Sequence, residues 1–146
     1  MTRKKKVDLD VERGIAPGLV AKTKKRLVVA SGSSHPALSE EVALALGTEL
    51  VPTEHRTFAS GEILTRFEVS IRGCDAFIIQ SFGPPVNEWL MELLIMLDAA
   101  KRASAKRITV VAPYYPYSRQ DKKGRGREPI SARLVADLPV SYTHLT

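Results

Sequence analysis

The sequence predicts an α/β protein, a three-layer sandwich of helices around a mostly parallel sheet. Two observations carry that expectation. Short apolar, β-rich runs recur along the chain, at Leu27-Val28-Val29-Ala30-Ser31, at Asp75 to Ser81 and at Arg107-Ile108-Thr109-Val110-Val111, and such runs read as buried strands. Helical stretches lie between and after them in the order strand, helix, three strands, helix, strand, helix, so crossovers return the chain to lay strands side by side in parallel.

Each element has its own signal. After the first strand, Gly32-Ser33-Ser34-His35 is a turn with capping hydroxyls, and Pro36 opens a helix. Leu38, Val42, Ala45 and Leu46 fall on one face of that helix, and Gly47 suits the position just past its end. His35, beside a helix start, reads as a capping or surface residue. Leu50-Val51 leads into a second strand. Thr57 to Glu62 is a turn, and Ile63 to Ile71 alternates apolar and polar residues as a half-buried strand does. Pro84-Pro85 starts the longest helix, running to about Ser104. Between Trp89 and Leu97 only Glu92 is charged, which predicts a helix apolar nearly all round. A last helix is expected from Pro129 through Leu138, with Pro139 interrupting it.

Composition sets bounds. The 146 residues allow one domain with an appendage, and 44% hydrophobic residues can build a core. No apolar run reaches the length of a membrane span. Basic Arg3 to Lys6 are followed by polar sequence, unlike a secretory signal. Cys74 is the single cysteine, so no internal disulfide forms, which fits a cytoplasmic location. Residues 1–26 hold nine Lys/Arg and three Asp/Glu, which accounts for the whole net charge of +6. Residues 27–146 balance at thirteen of each. A general nucleic-acid face would show as a basic excess over the domain, so that class is not favoured. Residues 1–25 read as a mobile basic arm and 26–138 as the domain. Residues 139–146 are expected to be a non-native tail, because Ser141-Tyr142-Thr143-His144-Leu145 matches one frame of a common transposon adapter.

The stretch with most chemistry is Ala112 to Ser131, APYYPYSRQDKKGRGREPIS. Arg119, Lys122, Lys123, Arg125 and Arg127 stand there against Asp121 and Glu128. Gly124 and Gly126 let backbone amides approach a ligand. A charge run alone reads as a solvated loop. This one leaves the carboxyl end of a buried strand and enters a helix, where open α/β sheets hold anions. Phosphate suits it, since Arg grips two oxygens at once and Lys adds a mobile charge. Tyr114, Tyr115 and Tyr117 could stack on bases beside this loop, but tyrosines also pack loops onto domains.

Four stretches together resemble ribose-phosphate pyrophosphokinase (phosphoribosyl pyrophosphate synthetase), in its amino-terminal half. They are Phe58-Ala59-Ser60-Gly61-Glu62, Ser70-Ile71-Arg72-Gly73, Asn87 to Ala105, and Pro113 to Ala132. The resemblance covers roughly 26–138. It implies a type I phosphoribosyltransferase-like fold, present here as its N-terminal half only. It implies transfer of a diphosphoryl group from ATP to ribose 5-phosphate, with Mg²⁺ and release of AMP. ATP would lie between subunits, touching Phe58, Ser60, Gly61 and Glu62 from one side and Arg119 and Gln120 from the other. The family often has Asp or Asn where Ser60 stands. Ser70, Arg72 and Arg127 match an allosteric phosphate or nucleotide site at a subunit interface, with inorganic phosphate as activator.

The resemblance further implies a homo-oligomer, a hexamer built from dimers. The family's Mg²⁺-binding His, in an Asp-Leu-His segment, and its catalytic loops belong to sequence beyond this chain. His144 does not match that segment, so no metal ligand is assigned here, and the chain alone is expected to be inactive. The alternative is a non-catalytic regulatory relative that assembles with a full-length synthetase.

Overall fold

The computed structural model describes residues 26–143. The arm at 1–25 and the tail residues 144–146 lie outside them. Eight elements follow the expected order: β1 (Leu27–Ser31), α1 (Pro36–Ala45), β2 (Thr53–Thr57), β3 (Ile63–Phe67), β4 (Asp75–Ile79), α2 (Val86–Arg102), β5 (Arg107–Val111) and α3 (Ser131–Thr143). Strands β1, β4 and β5 form a parallel sheet in that spatial order, with Leu27 opposite Asp75 and Asp75 opposite Arg107. The last pair is also an ion pair at 3.1 Å. Strands β2 and β3 form a separate antiparallel hairpin. Leu50 makes only an isolated parallel bridge to Val29, so the strand expected to begin near Leu50-Val51 starts instead at Thr53.

The core gathers Val28 and Ala30 of β1, Ala76 and Ile78 of β4, Ile108 of β5, and Leu93, Met96, Leu97 and Ala100 of α2. Each large apolar side chain so buried stabilises the fold by about 1.5–3 kcal/mol. Helix α2 packs on β3, β5 and α3, while α1 packs on β1.

Three expectations are corrected. Helix α1 buries Ser39 and Ala43; of the expected face Leu38 and Val42 are half-buried, Ala45 is exposed and Leu46 is 57% exposed. Small side chains let this helix lie close to β1, and Ser31 Oγ donates to Ser39 Oγ at 2.8 Å. Helix α2 is not apolar all round. Met91 is 53% exposed, and the charged Glu92 is the buried one. Helix α3 begins at Ser131, beyond Pro129, and continues through Pro139 to Thr143. Proline removes one helical N–H and crowds the preceding turn. Beyond it, Ser141 Oγ donates to the Leu138 carbonyl at 2.7 Å, and Tyr142 packs against the core with Lys101 Nζ 5.6 Å from its ring. Gly47 holds the expected position after α1, with φ +66° and its N–H bonded to the Leu44 carbonyl.

Candidate functional site

The tip of the β2–β3 hairpin carries Phe58, Ser60, Gly61 and Glu62. The turn closes on itself: Phe58 N–H donates to the Glu62 carbonyl at 2.8 Å, and Gly61 N–H to the Phe58 carbonyl at 2.9 Å. Gly61 has φ +87°, a conformation side-chain-bearing residues resist. Ser60 Oγ donates to Glu62 Oε2 at 2.8 Å, which fixes that carboxylate and engages one of its oxygens. The Arg56 guanidinium carbon sits 4.9 Å from the Phe58 ring centre, and the ring is 40% exposed. An exposed aromatic face beside a held carboxylate is a surface on which a flat heterocycle can stack and be hydrogen-bonded.

The second cluster lies on the loop between β5 and α3. The loop is anchored by its tyrosines. Tyr115 Oη donates to the Ala132 carbonyl at 3.0 Å, Tyr117 Oη donates to Asn87 Oδ1, and Pro116 is fully buried. Burial, and then the Asp137 carboxylate, raise the Tyr115 phenol above its usual pKa. Tyr115 and Tyr117 thus tie the loop to the domain through their hydroxyls, while Tyr114 is 53% exposed.

Gln120 is held from both ends. Its N–H donates to the Tyr117 carbonyl, its carbonyl accepts from Ala132 N–H, and its Oε1 accepts from Ser131 Oγ at 2.5 Å. The side-chain amide nitrogen is left as a donor. Glu128 Oε2 accepts from Gly124 N–H and Arg125 N–H, each at 2.8 Å. Arg119, Gln120, Lys122, Gly124, Glu128 and Pro129 line a concavity of about 390 Å³. The ion pairs among the described residues leave out Arg119, Lys122, Lys123, Arg125 and Arg127. Their charge is therefore available to a phosphorylated ligand. A larger concavity, about 550 Å³, lies at the amino end of β1 near Arg26, Leu44 and Val69. Its lining holds none of these groups.

The structure brings Phe58, Ser60, Gly61 and Glu62 together, and brings Arg119 and Gln120 together. No hydrogen bond or ion pair among the described residues joins the two clusters. Ser70 and Arg72 are exposed just before β4, at the amino end of the parallel sheet. Arg127, with φ +67°, sits on the loop that leaves the carboxyl end of β5. A single chain therefore gives no bonded contact between Arg127 and the other two. His35 caps α1, its Nδ1 accepting from Leu38 N–H at 3.1 Å. Sequence reasoning missed Glu128 and Asn87 as parts of the loop's build. An acid three and four residues after Arg125 and Gly124 was the available signal for Glu128.

A hairpin tip and a cationic loop at the carboxyl end of a parallel sheet define an α/β domain suited to a phosphorylated ligand. A family model describing the N-terminal domain of ribose phosphate pyrophosphokinase matches residues 27–141. The chain belongs to that family. It is 63% identical over 115 residues to the ribose-phosphate pyrophosphokinase of Mycobacterium leprae, covering 79% of this chain and 35% of the relative. It is 57% identical over 121 residues to that of Streptomyces coelicolor, covering 83% and 37%. The crystal structure of phosphoribosylpyrophosphate synthetase from Mycobacterium smegmatis superimposes with a TM-score of 0.79 at 58% identity, over 81% of this chain and 40% of that one. The chain thus spans about a third of the length of the curated relatives it matches.

Proposed function

We propose that this chain supplies the nucleotide-binding surfaces of a ribose-phosphate pyrophosphokinase. The complete enzyme moves a diphosphoryl group from ATP to the anomeric hydroxyl of ribose 5-phosphate and releases AMP. The observation that carries the reading is the exposed pairing of Phe58 with the fixed Glu62 carboxylate, on a chain that also offers Arg119 and Gln120 in an anion-ready loop. Phe58 stacks on adenine, and Glu62 Oε1 accepts from the purine amino group while Oε2 stays with Ser60. Gln120 donates from its free amide nitrogen, and Arg119 neutralises phosphate charge. These two exposed surfaces come from neighbouring copies, which makes the active form a homo-oligomer, a hexamer built from dimers by family habit. Ser70, Arg72 and Arg127 form a regulatory phosphate site between copies in the same way.

Among the described residues no group of three or more His, Cys, Asp or Glu side chains is placed to hold a metal ion. We assign Mg²⁺ to the ATP complex, as part of the substrate. No described helix is long and apolar enough to cross a membrane, and the buried unpaired thiol of Cys74 suits a cytoplasmic setting. Catalytic groups and the ribose-phosphate loop belong to sequence beyond this chain, so it has no substantial synthetase activity alone.

The test is nucleotide titration followed by NMR, with ATP and ribose 5-phosphate in separate arms. ATP is expected to shift the resonances of Phe58, Glu62, Arg119 and Gln120, and ribose 5-phosphate to leave them still. Unchanged environments at saturating ATP, in a chain extended to the relatives' full length, would overturn the assignment. Normal AMP release by the 146-residue chain would overturn the inactivity.

A further inference from the structure

The charged residue inside α2 joins parts of the fold that are distant in sequence. Glu92 is 4% exposed, and a carboxylate in that position requires partners. Its Oε1 accepts from Ser33 N–H at 2.6 Å and from Gln80 Nε2 at 3.2 Å, and faces His55 Nδ1 at 3.7 Å. Gln80 is itself fixed, its Oε1 accepting from Ser34 Oγ at 2.7 Å. One carboxylate thus ties together the turn after β1, the end of β4, and β2 of the hairpin.

His55 is the hairpin's contribution. Its Nε2 lies 3.1 Å from the Ser31 carbonyl. A carbonyl only accepts, so Nε2 carries the proton. Nδ1 then has two neighbours, Thr65 Oγ1 at 3.4 Å and Glu92 Oε1 at 3.7 Å. In the neutral ring Nδ1 is an acceptor, which suits the Thr65 hydroxyl and opposes the carboxylate. In the imidazolium it is a donor, which suits Glu92. The other groups around it are accounted for. Glu54 and Arg66 pair with each other at 3.0 Å on the hairpin's other face, and Arg56 stacks on Phe58. From β1 comes a carbonyl, from β4 the neutral Gln80, and His35 at α1 is engaged with Leu38 N–H. Glu92 is the one charge directed at His55 among the described residues.

We propose that Glu92 and His55 are positioning residues that latch the hairpin to the sheet end, and that protonation of His55 moves its Nδ1 bond from Thr65 to Glu92. His55 lies three residues before Phe58, and its register partner Thr65 lies three residues after Glu62. A change at this pair therefore reaches the tip through continuous antiparallel ladder. The proposal rests on the nucleotide reading only for what the tip binds; the latch itself is independent of it.

The experiment is a pH titration of the 146-residue chain by ¹⁵N and ¹H NMR, without nucleotide. At alkaline pH the His55 ring is expected as the Nε2–H tautomer. As it protonates, the Ser33 and Thr65 amides shift with the same midpoint as the ring. In Glu92→Gln the Ser33 response is lost. In His55→Gln, which keeps a donor toward Ser31 and cannot titrate, both amides lose that transition. A residue that merely fills space would give no shared midpoint. A His55 that titrates while Ser33 and Thr65 stay still, or a neutral Nδ1–H tautomer, overturns the latch. Should Glu92→Gln fail to fold, the His55→Gln comparison still decides. A separate ATP arm, in the full-length form, expects the pH dependence of ATP binding to flatten in His55→Gln. Absence of ATP binding there removes the nucleotide reading and leaves the latch result standing.

Discussion

Replacing Gly32 by alanine tests the polar junction above the sheet. Gly32 follows β1, is buried, and donates its N–H to the Ile79 carbonyl at 2.9 Å. A Cβ there would lie 2.1 Å from Gln80 Oε1 and 2.5 Å from Gln80 Cδ. No real contact is that short, so Gln80 must move. It is 1% exposed and holds Ser34 Oγ, the Trp89 carbonyl and Glu92 at 2.7, 3.2 and 3.2 Å. Each hydrogen bond is worth about 1 kcal/mol net, and more where a buried partner is left unpaired. Losing the set predicts a cost of about 3 kcal/mol or more, well above the roughly 1 kcal/mol of an average substitution. Urea unfolding of the wild type, Gly32→Ala, Gln80→Ala and the double variant measures it. With Gln80 truncated, the added methyl has room, so the second substitution should cost under about 1 kcal/mol, a coupling near 2 kcal/mol. A Gly32→Ala midpoint equal to wild type, or the same penalty in both backgrounds, would refute the close-approach argument.

Tyr115 gives a pH-dependent prediction. Its phenol is raised by burial and then by Asp137, so the folded state holds that proton more tightly than the unfolded chain. The contribution is fully present below about pH 10, the ordinary tyrosine value, and is lost as pH rises through the higher folded one. Urea midpoints should therefore fall more steeply at alkaline pH for wild type than for Tyr115→Phe; parallel declines would count against it. Glu128→Ala should free the Gly124 and Arg125 amides, raising their hydrogen exchange by about tenfold, with little change in global stability; unchanged exchange would show that the carboxylate does not hold them. In the full-length form, Phe58→Ala should weaken ATP more than ribose 5-phosphate, and equal weakening would count against adenine stacking. Arg119→Ala should cut turnover with the fold intact by circular dichroism, and normal turnover would remove it from the site.

The parallel strands were legible because their signal is local: apolar runs such as Val28-Val29-Ala30 and Phe77-Ile78-Ile79 can only be satisfied inside. What escaped depends on partners far along the chain. Glu92 looked like the single polar interruption of an apolar helix, yet the amide that makes its burial tolerable belongs to Ser33, 59 residues away. Helix α1 presents Ser39 and Ala43 inward because close approach to β1 outweighs the gain from burying Leu44 or Leu46, and no period in the sequence encodes that choice. Pro139 marked a helix end by local rule, and the helix passes through it with Tyr142 packed against the core. At the site, the hairpin tip carried no chemistry readable from composition; resemblance pointed to it, and the structure then showed Ser60 holding Glu62. The loop was readable as cationic and its tyrosines as packing residues, as Tyr115 and Tyr117 are, but the clasp of Glu128 on two loop amides was not.

The distribution of polar groups explains why unpaired charge sits on the last loop and not the first. Crossovers in a parallel sheet place turns with free amides at the carboxyl ends of the strands, where anions are held. After β1, protein side chains engage that turn: Glu92 takes Ser33 N–H, and Gln80 takes Ser34 Oγ. After β5, the amides of Gly124 and Arg125 are held by a solvent-exposed carboxylate, and the surrounding cations have no ion-pair partner among the described residues. A buried carboxylate held by a short hydrogen bond inside the fold is costly to displace. An exposed one bridging two amides is not, because water and added anions compete for the same donors. Burial of the carboxylate is therefore what separates a fixed turn after β1 from a loop after β5 whose amides stay open to competition from solvent.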